Sequence, residues 1–327
     1  MPPRRPTSRS PATDPPVGRP TGRPTPTLQQ ERRIHMNITT LEIESQPEIW
    51  RRSLELRDDA IRMLTRPGER VLVIGCGTSA FVAESFALLR EEAGFGETDA
   101  AYASEPRPWR PYDAVVGITR SGTTTEVIDA LRALPEGVRT IVVTGVADSP
   151  AAALADEVLV LDFADERSVV QTRFPTTFLY LARAAFGEDV SALPELATAA
   201  LAEGAPETPE GFDHIVYLGR GWTYGLAQEA ALKIREAAQA WAESYPILDF
   251  RHGPLAVAHP GSLVWFLGVV DDELARDVEV TGATVVQSDA DPLIQLALAQ
   301  QLAVRTAVSR GLDPDNPRHL TRSIVLS

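Results

Sequence analysis

At 327 residues the chain has room for one large α/β unit or two domains, and its 44% hydrophobic content is ordinary for a globular core. A formal charge of −14 speaks against nucleic acid or an anionic membrane as the main partner, while leaving room for an anionic small molecule in a locally basic pocket. One cysteine, Cys76, excludes an internal disulfide framework and fits a cytoplasmic protein.

Residues 1–35 carry 9 of the 26 prolines and seven arginines against two acids. That composition cannot bury enough apolar surface to fold, so the segment is predicted to be disordered. It reads as a contact arm, a targeting peptide, or the product of too early a start, because ordinary sequence begins at Met36. It lacks the apolar core of a signal peptide, and no run in the chain reaches the roughly 20 apolar residues of a membrane span.

Residues 36–67 predict a helical segment entered through Pro47, with Ile49, Leu54, Ala60, Ile61 and Leu64 on one face. Apolar runs follow at 70–75, 100–104, 113–119, 139–145 and 157–162, most of them separated by helical patterns. This is the βαβ signature of a doubly wound parallel sheet. Helices are predicted over 169–187 and 191–203, then a linker over 203–212. A second series opens at 214–219, again an apolar run ending in glycine, followed by a helix from Trp222 to about Trp241, strands at 262–270 and 283–287, and a closing helix over 291–310. Trp222 and Trp241 are expected in the core. The predicted fold is thus α/β, with two doubly wound parallel-sheet domains of flavodoxin-like three-layer form in tandem. The boundaries are 68–190 for the first, 191–212 for a linker helix and linker, 213–312 for the second and 313–327 for a C-terminal tail.

Two loops have the look of anion sites. In "VIGCGTSAFVAES" Gly75 and Gly77 turn a strand into a helix that starts at Thr78 and Ser79, where backbone amides and the helix dipole favour an anion. The same letters approximate a dinucleotide fingerprint, but the ribose-binding acid is wanted about 20 residues on and Glu105 comes late. In "ITRSGTTTEVIDAL" a second strand feeds a helix start rich in Thr119, Ser121, Thr123, Thr124 and Thr125. Either loop alone is explained equally well by helix capping. Two such loops at the carboxyl ends of strands in one sheet suit a phosphate monoester on a small molecule.

"CGTS" (76–79), "SGTTTE" (121–126), "KIRE" (233–236), "RHGPLA" (251–256) and "NPRHLTRSIVLS" (316–327) occur in an order and spacing that resembles the sugar isomerase (SIS) domain family, and within it the isomerase half of glucosamine-6-phosphate synthase. The resemblance covers roughly residues 68–327. It implies that Ser79, Thr119, Ser121 and Thr124 hold a sugar phosphate, with Cys76, Gly77 and Thr78 shaping the turn and Arg120 standing where the relative has glutamine. It implies that Val169 and Gln171, in "ERSVVQTR" (166–173), approach the sugar. Glu236 matches the base that moves a proton between C1 and C2, Lys233 a lysine at the reacting end, and His252 a ring-opening residue contributed by a neighbouring subunit. Arg322 stands where the relative has a catalytic lysine. The amidotransferase domain of the synthase is expected to be missing, since its cysteine nucleophile has no counterpart here.

The residues fit that chemistry in their own right. Lys233 and Glu236 lie three apart on a predicted helix and share a face. A carboxylate can serve as base between C1 and C2, His252 can exchange a proton near neutral pH, and positive charge from Lys233 and Arg322 can stabilise an enediolate. Lys233 is the only lysine beside 30 arginines, and a compact ammonium able to donate a proton is a reason for one position to keep it. The plain alternative is a solvated Glu229–Lys233 bridge at i,i+4. The expectation is a cytoplasmic, homodimeric or larger phosphosugar isomerase or amino-sugar-6-phosphate deaminase without cofactor, metal, nucleic-acid or membrane partner. The alternatives are a non-catalytic sugar-phosphate sensor and a deglycase acting on a sugar-phosphate amine.

Overall fold

The computed structural model describes residues 36–105, 110–205 and 211–326. The tail expected to be disordered at 1–35 and the centre of the linker lie outside the described residues.

The chain enters helix α1 (Ile38–Ser53) rather than starting one at Pro47. The Asn37 side chain accepts from Thr40 N at 2.7 Å, and Asp315, far along the chain, accepts from the Ile38 and Thr39 amides at 2.8 Å each. These bonds satisfy the open amides of a helix N-terminus and outweigh the break that proline suggests. Pro47 sits inside the helix, and the Ile43 carbonyl near its missing N–H is met by Gln46 Nε2 at 3.2 Å. A 3-10 turn at Leu54–Leu56 then separates α2 (Arg57–Leu64), so the expected single helix is two.

Strands β1 (Val71–Gly75), β2 (Thr98–Tyr102), β3 (Ala114–Ile118), β4 (Arg139–Thr144) and β5 (Glu157–Val160) form a parallel sheet in the order β2-β1-β3-β4-β5. Helices α3 (Thr78–Glu92) and α4 (Thr125–Arg132) follow β1 and β3. Neighbouring β1 and β3, paired Val71 to Ala114 through Ile74 to Gly117, mark the place where the strand order reverses. Ligand crevices form at that point in doubly wound sheets, outside the carboxyl ends of the strands. Both hydroxyl-rich loops are there.

Helices α5 (Arg173–Ala185) and α6 (Leu193–Glu203) lead to the second parallel sheet, made of β6 (His214–Gly219), β7 (Ala242–Pro246), β8 (Ser262–Phe266) and β9 (Thr284–Val286) in the order β7-β6-β8-β9. Helix α7 (Thr223–Ala238) follows β6, α8 (Asp272–Val280) precedes β9, and α9 (Pro292–Ser309) closes the fold. Residues 37–327 form one compact unit holding both sheets. The largest apolar cluster includes Val73, Phe86, Phe178, Ile234, Trp265 and Leu296, so it joins the two sheets through the helices between them. Gly225 lets α7 lie directly on α3: a side-chain carbon there would overlap Phe81 O and Ser85 Oγ, and Ser85 Oγ donates to Trp222 O at 2.8 Å. This close crossing brings the later face of α7 to the start of α3.

Trp241 departs from expectation. It is 67% exposed, because it lies in the link between α7 and β7, beyond the buried stripe. Trp222 is half-buried with the Arg183 guanidinium 5.2 Å from its ring centroid.

Candidate active site

Helix α7 carries Glu229, Lys233 and Glu236 at i, i+4 and i+7, one face of a helix that the sequence places against α3. Lys233 Nζ lies 3.2 Å from Glu229 Oε1 and 2.6 Å from Glu236 Oε2, and donates to Thr78 Oγ1 at 3.1 Å. The lysine and Glu229 side chains are 1% and 0% exposed, Glu236 20%. A solvated Glu229–Lys233 bridge is therefore overturned: the pair is in the core. Burial opposes the ammonium, yet the two carboxylates more than offset it and raise the Lys233 pKa. Burial pushes Glu229 up to about 7, with Glu236 adding to the rise and Lys233 opposing it. The cluster thus holds one fixed cation between a buried acid that titrates near neutrality and a carboxylate open to the solvent side.

Thr78 ties this cluster to the first hydroxyl loop across 155 residues of chain. Cys76 is half-buried there, and burial together with the Glu126 charge pushes its thiol up to about 11, so it stays protonated at neutral pH. Gly77 is exposed at the turn and Ser79 is buried in the first turn of α3. The second loop, after β3, is a tight turn. Gly122 has φ +66°, and a side chain there would collide with Ser149, so only glycine fits. Thr119 Oγ1 accepts from Gly122 N at 3.2 Å and lies 3.4 Å from Thr124 Oγ1, while Ser121 Oγ accepts from Thr123 N at 3.2 Å. Thr119 and Ser121 are buried and Thr124 is partly open.

Arg120 is buried, and its guanidinium donates to Ser168 O at 3.0 Å and Arg322 O at 2.7 Å. Desolvation lowers its pKa. Val169 and Gln171 are partly buried on the loop that Arg120 grips. Glu42 holds that loop from α1 by accepting from Arg167 N at 2.6 Å, and Glu166 closes it by accepting from Thr172 N at 2.6 Å. Gln171 Oε1 is buried without a hydrogen-bond partner. Arg322 directs one nitrogen to both Asp165 oxygens at 2.6 Å and the other to Glu166 O at 2.8 Å. His252 is exposed on a 3-10 turn, Leu248–His252, and takes no part in the Lys233 cluster.

Sequence reasoning does not find Asp165 and Glu166 as partners of Arg322, nor Glu229 as more than a bridge. The i, i+4, i+7 spacing of 229, 233 and 236 was the available signal for the latter. Among the described residues no group of three or more His, Cys, Asp or Glu is placed to hold a metal ion, and no helix is long and apolar enough to cross a membrane.

Against known families, residues 63–185 match the SIS domain. The matched stretch runs from β1 to β5 and includes both hydroxyl loops. Curated relatives include the isomerizing glutamine–fructose-6-phosphate aminotransferases of Pyrobaculum aerophilum, 29% identical over 78% of this chain and 51% of that protein, and of Gloeobacter violaceus, 29% identical over 90% and 60%. The chain spans between half and three-fifths of the length of these relatives. Among solved structures, glucosamine-6-phosphate deaminase from Thermotoga maritima superposes with a TM-score of 0.74 at 27% identity, covering 88% of this chain and all of that one. Tagatose-6-phosphate ketose/aldose isomerase from Escherichia coli, with a TM-score of 0.72 at 21% identity over 89% of this chain and 96% of that one, shares the fold.

Proposed function

We propose that the chain is a phosphosugar isomerase of tandem SIS type, acting on a sugar 6-phosphate or an amino-sugar 6-phosphate through an enediolate. The SIS domain at 68–190 binds the phosphate. The segment 213–312 is a second SIS domain, joined through 191–212, and 36–67 and 313–326 pack against the first. The observation that carries the reading is the Lys233 ammonium held between Glu236 and Thr78. It places a carboxylate and a cation directly beside the first anion loop.

Ser79, Thr119, Ser121 and Thr124 hold the phosphate, assisted by the amides that open α3 and α4. Glu236 is the base, because it is the carboxylate of the cluster that solvent and substrate can reach; Glu229 is sealed in the core. It carries a proton between C1 and C2 while Lys233 stabilises the oxygen that gains charge. With an amino group at C2, the same proton transfer gives an imine, and its hydrolysis releases ammonia. The 27% identity to a glucosamine-6-phosphate deaminase favours keeping that outcome beside simple aldose–ketose exchange. His252, exposed and away from the cluster, opens the ring of a sugar bound in a second copy of the chain, which makes the working form a homodimer or larger. The setting is the cytoplasm, and no amidotransferase activity is needed. Incubation with a panel of hexose-6-phosphates and hexosamine-6-phosphates, reading ketose and ammonia, tests this. Turnover of none of them would refute it.

A further inference from the structure

Residues 322–326 run across the second hydroxyl loop as a strap. Thr125 N, an open amide at the start of α4, donates to Ile324 O at 3.2 Å, and Leu326 N donates to Thr125 Oγ1 at 2.9 Å. Thr123 Oγ1 lies 3.0 Å from Ser323 Oγ. The strap thus engages Thr123 and Thr125, the loop residues not assigned to phosphate, and Thr123 Oγ1 is in turn 2.9 Å from Ser121 Oγ.

Two arginines fasten it reciprocally. The buried Arg120 side chain reaches out of the loop to the backbone oxygen of Arg322 at 2.7 Å. The Arg322 side chain reaches back, to both Asp165 oxygens and to Glu166 O. Asp165 is in turn fixed through its backbone oxygen, which accepts from the Arg173 guanidinium. The positive charge of Arg322 therefore sits against a carboxylate, and both of its terminal nitrogens have partners on the 165–166 turn.

We propose that Arg322 is a positioning residue: with Asp165 it clamps the strap onto the phosphate loop, and it brings no charge to the reacting atoms. The kinetic part of this proposal rests on the isomerase reading above. The clamp is 40% and 27% exposed on its two sides, so solvent screening keeps its effect moderate. Loss of the clamp loosens the strap, the loop amide and the loop hydroxyls together. Binding weakens while the proton transfer at Lys233 and Glu236 is spared.

The test compares Arg322→Ala, Asp165→Asn and the double variant with the unaltered chain. Asp165→Asn preserves shape and keeps the test valid if Arg322→Ala folds poorly. Both single variants are expected to raise KM for the best sugar phosphate about fivefold with kcat within about twofold, and the double variant to be no worse than either, because they remove one shared interaction. Hydrogen exchange of the Thr125 and Leu326 amides without any ligand should quicken by a similar factor in each. A fall in kcat of about a hundredfold in Arg322→Ala, with Asp165→Asn at the original KM, would identify a charge donor instead and overturn the clamp. Unchanged exchange in both variants would overturn it as well. The exchange measurement needs no substrate, so it decides the clamp even if no sugar phosphate is turned over.

Discussion

Replacing Lys233 by methionine tests the cluster through both stability and chemistry. The ammonium is fully buried beside Glu229, which is fully buried itself. Removing one partner of a buried pair costs about 3–5 kcal/mol, because the charge left behind is unpaired. For a chain of this size that is a drop in Tm of roughly 5–8 °C. The loss depends on pH. Glu229 is already raised by burial to about 7, so the folded state holds a proton that the unfolded state has given up, and its contribution to stability is lost as pH rises through about 7. Without Lys233 its pKa rises further, and the proton is retained to higher pH. Near pH 5.5 Glu229 is neutral in both proteins and the deficit is small; toward pH 8.5 it reaches its full size. Thermal unfolding of both proteins at those two pH values measures the difference. An equal deficit at both would refute the coupling, and no deficit at either would refute the buried pair. Lys233→Arg keeps the charge but forces a wider group into a filled site, at a cost of about 1–3 kcal/mol, and lowers turnover at least tenfold, about 1.4 kcal/mol of barrier.

Two other perturbations address the phosphate loops and the assembly. Ser121→Ala combined with Thr124→Val should weaken binding of a 6-phosphate sugar at least about tenfold, since each removed hydroxyl is a donor to a charged ligand, while the circular dichroism spectrum is retained; equal binding in titration calorimetry would remove the loop from the site. Glu236→Gln and His252→Ala chains, each inactive alone, should regain part of the activity when mixed and allowed to exchange subunits. Recovery of none, with exchange demonstrated by mass, would place His252 in the site of its own chain.

Much of the fold was legible because parallel strands buried on both faces read as unbroken apolar runs, as in "VLVIG" and "HIVYLG". Strand β7 escaped because "AESYP" has no such run: it lies at a sheet edge, with Glu243, Ser244 and Tyr245 only partly buried. Helix α8 has only nine residues, but its Asp271 cap, which accepts from Leu274 N at 2.8 Å, could have been read from sequence. In the site, spacing along α7 shows that Lys233 and Glu236 share a face. It cannot show that the face is buried, and this reverses the meaning of the Glu229 pair. Contacts between distant segments, such as Lys233 with Thr78 or Arg322 with Asp165, leave no local pattern at all. Arg120 and Arg322, where the sequence resemblance would put glutamine and lysine, meet in the structure.

Proton exchange at the substrate carbons tests the central claim most directly. With the chain in deuterated water and a hexose or hexosamine 6-phosphate, proton NMR should show deuterium entering at C1 or C2 as ketose or ammonia accumulates, and Glu236→Gln should slow that entry by about a hundredfold or more while still binding the sugar. A protein that binds the same sugar phosphates tightly yet exchanges no carbon-bound hydrogen, or whose Glu236→Gln variant exchanges at the original rate, would contradict the account.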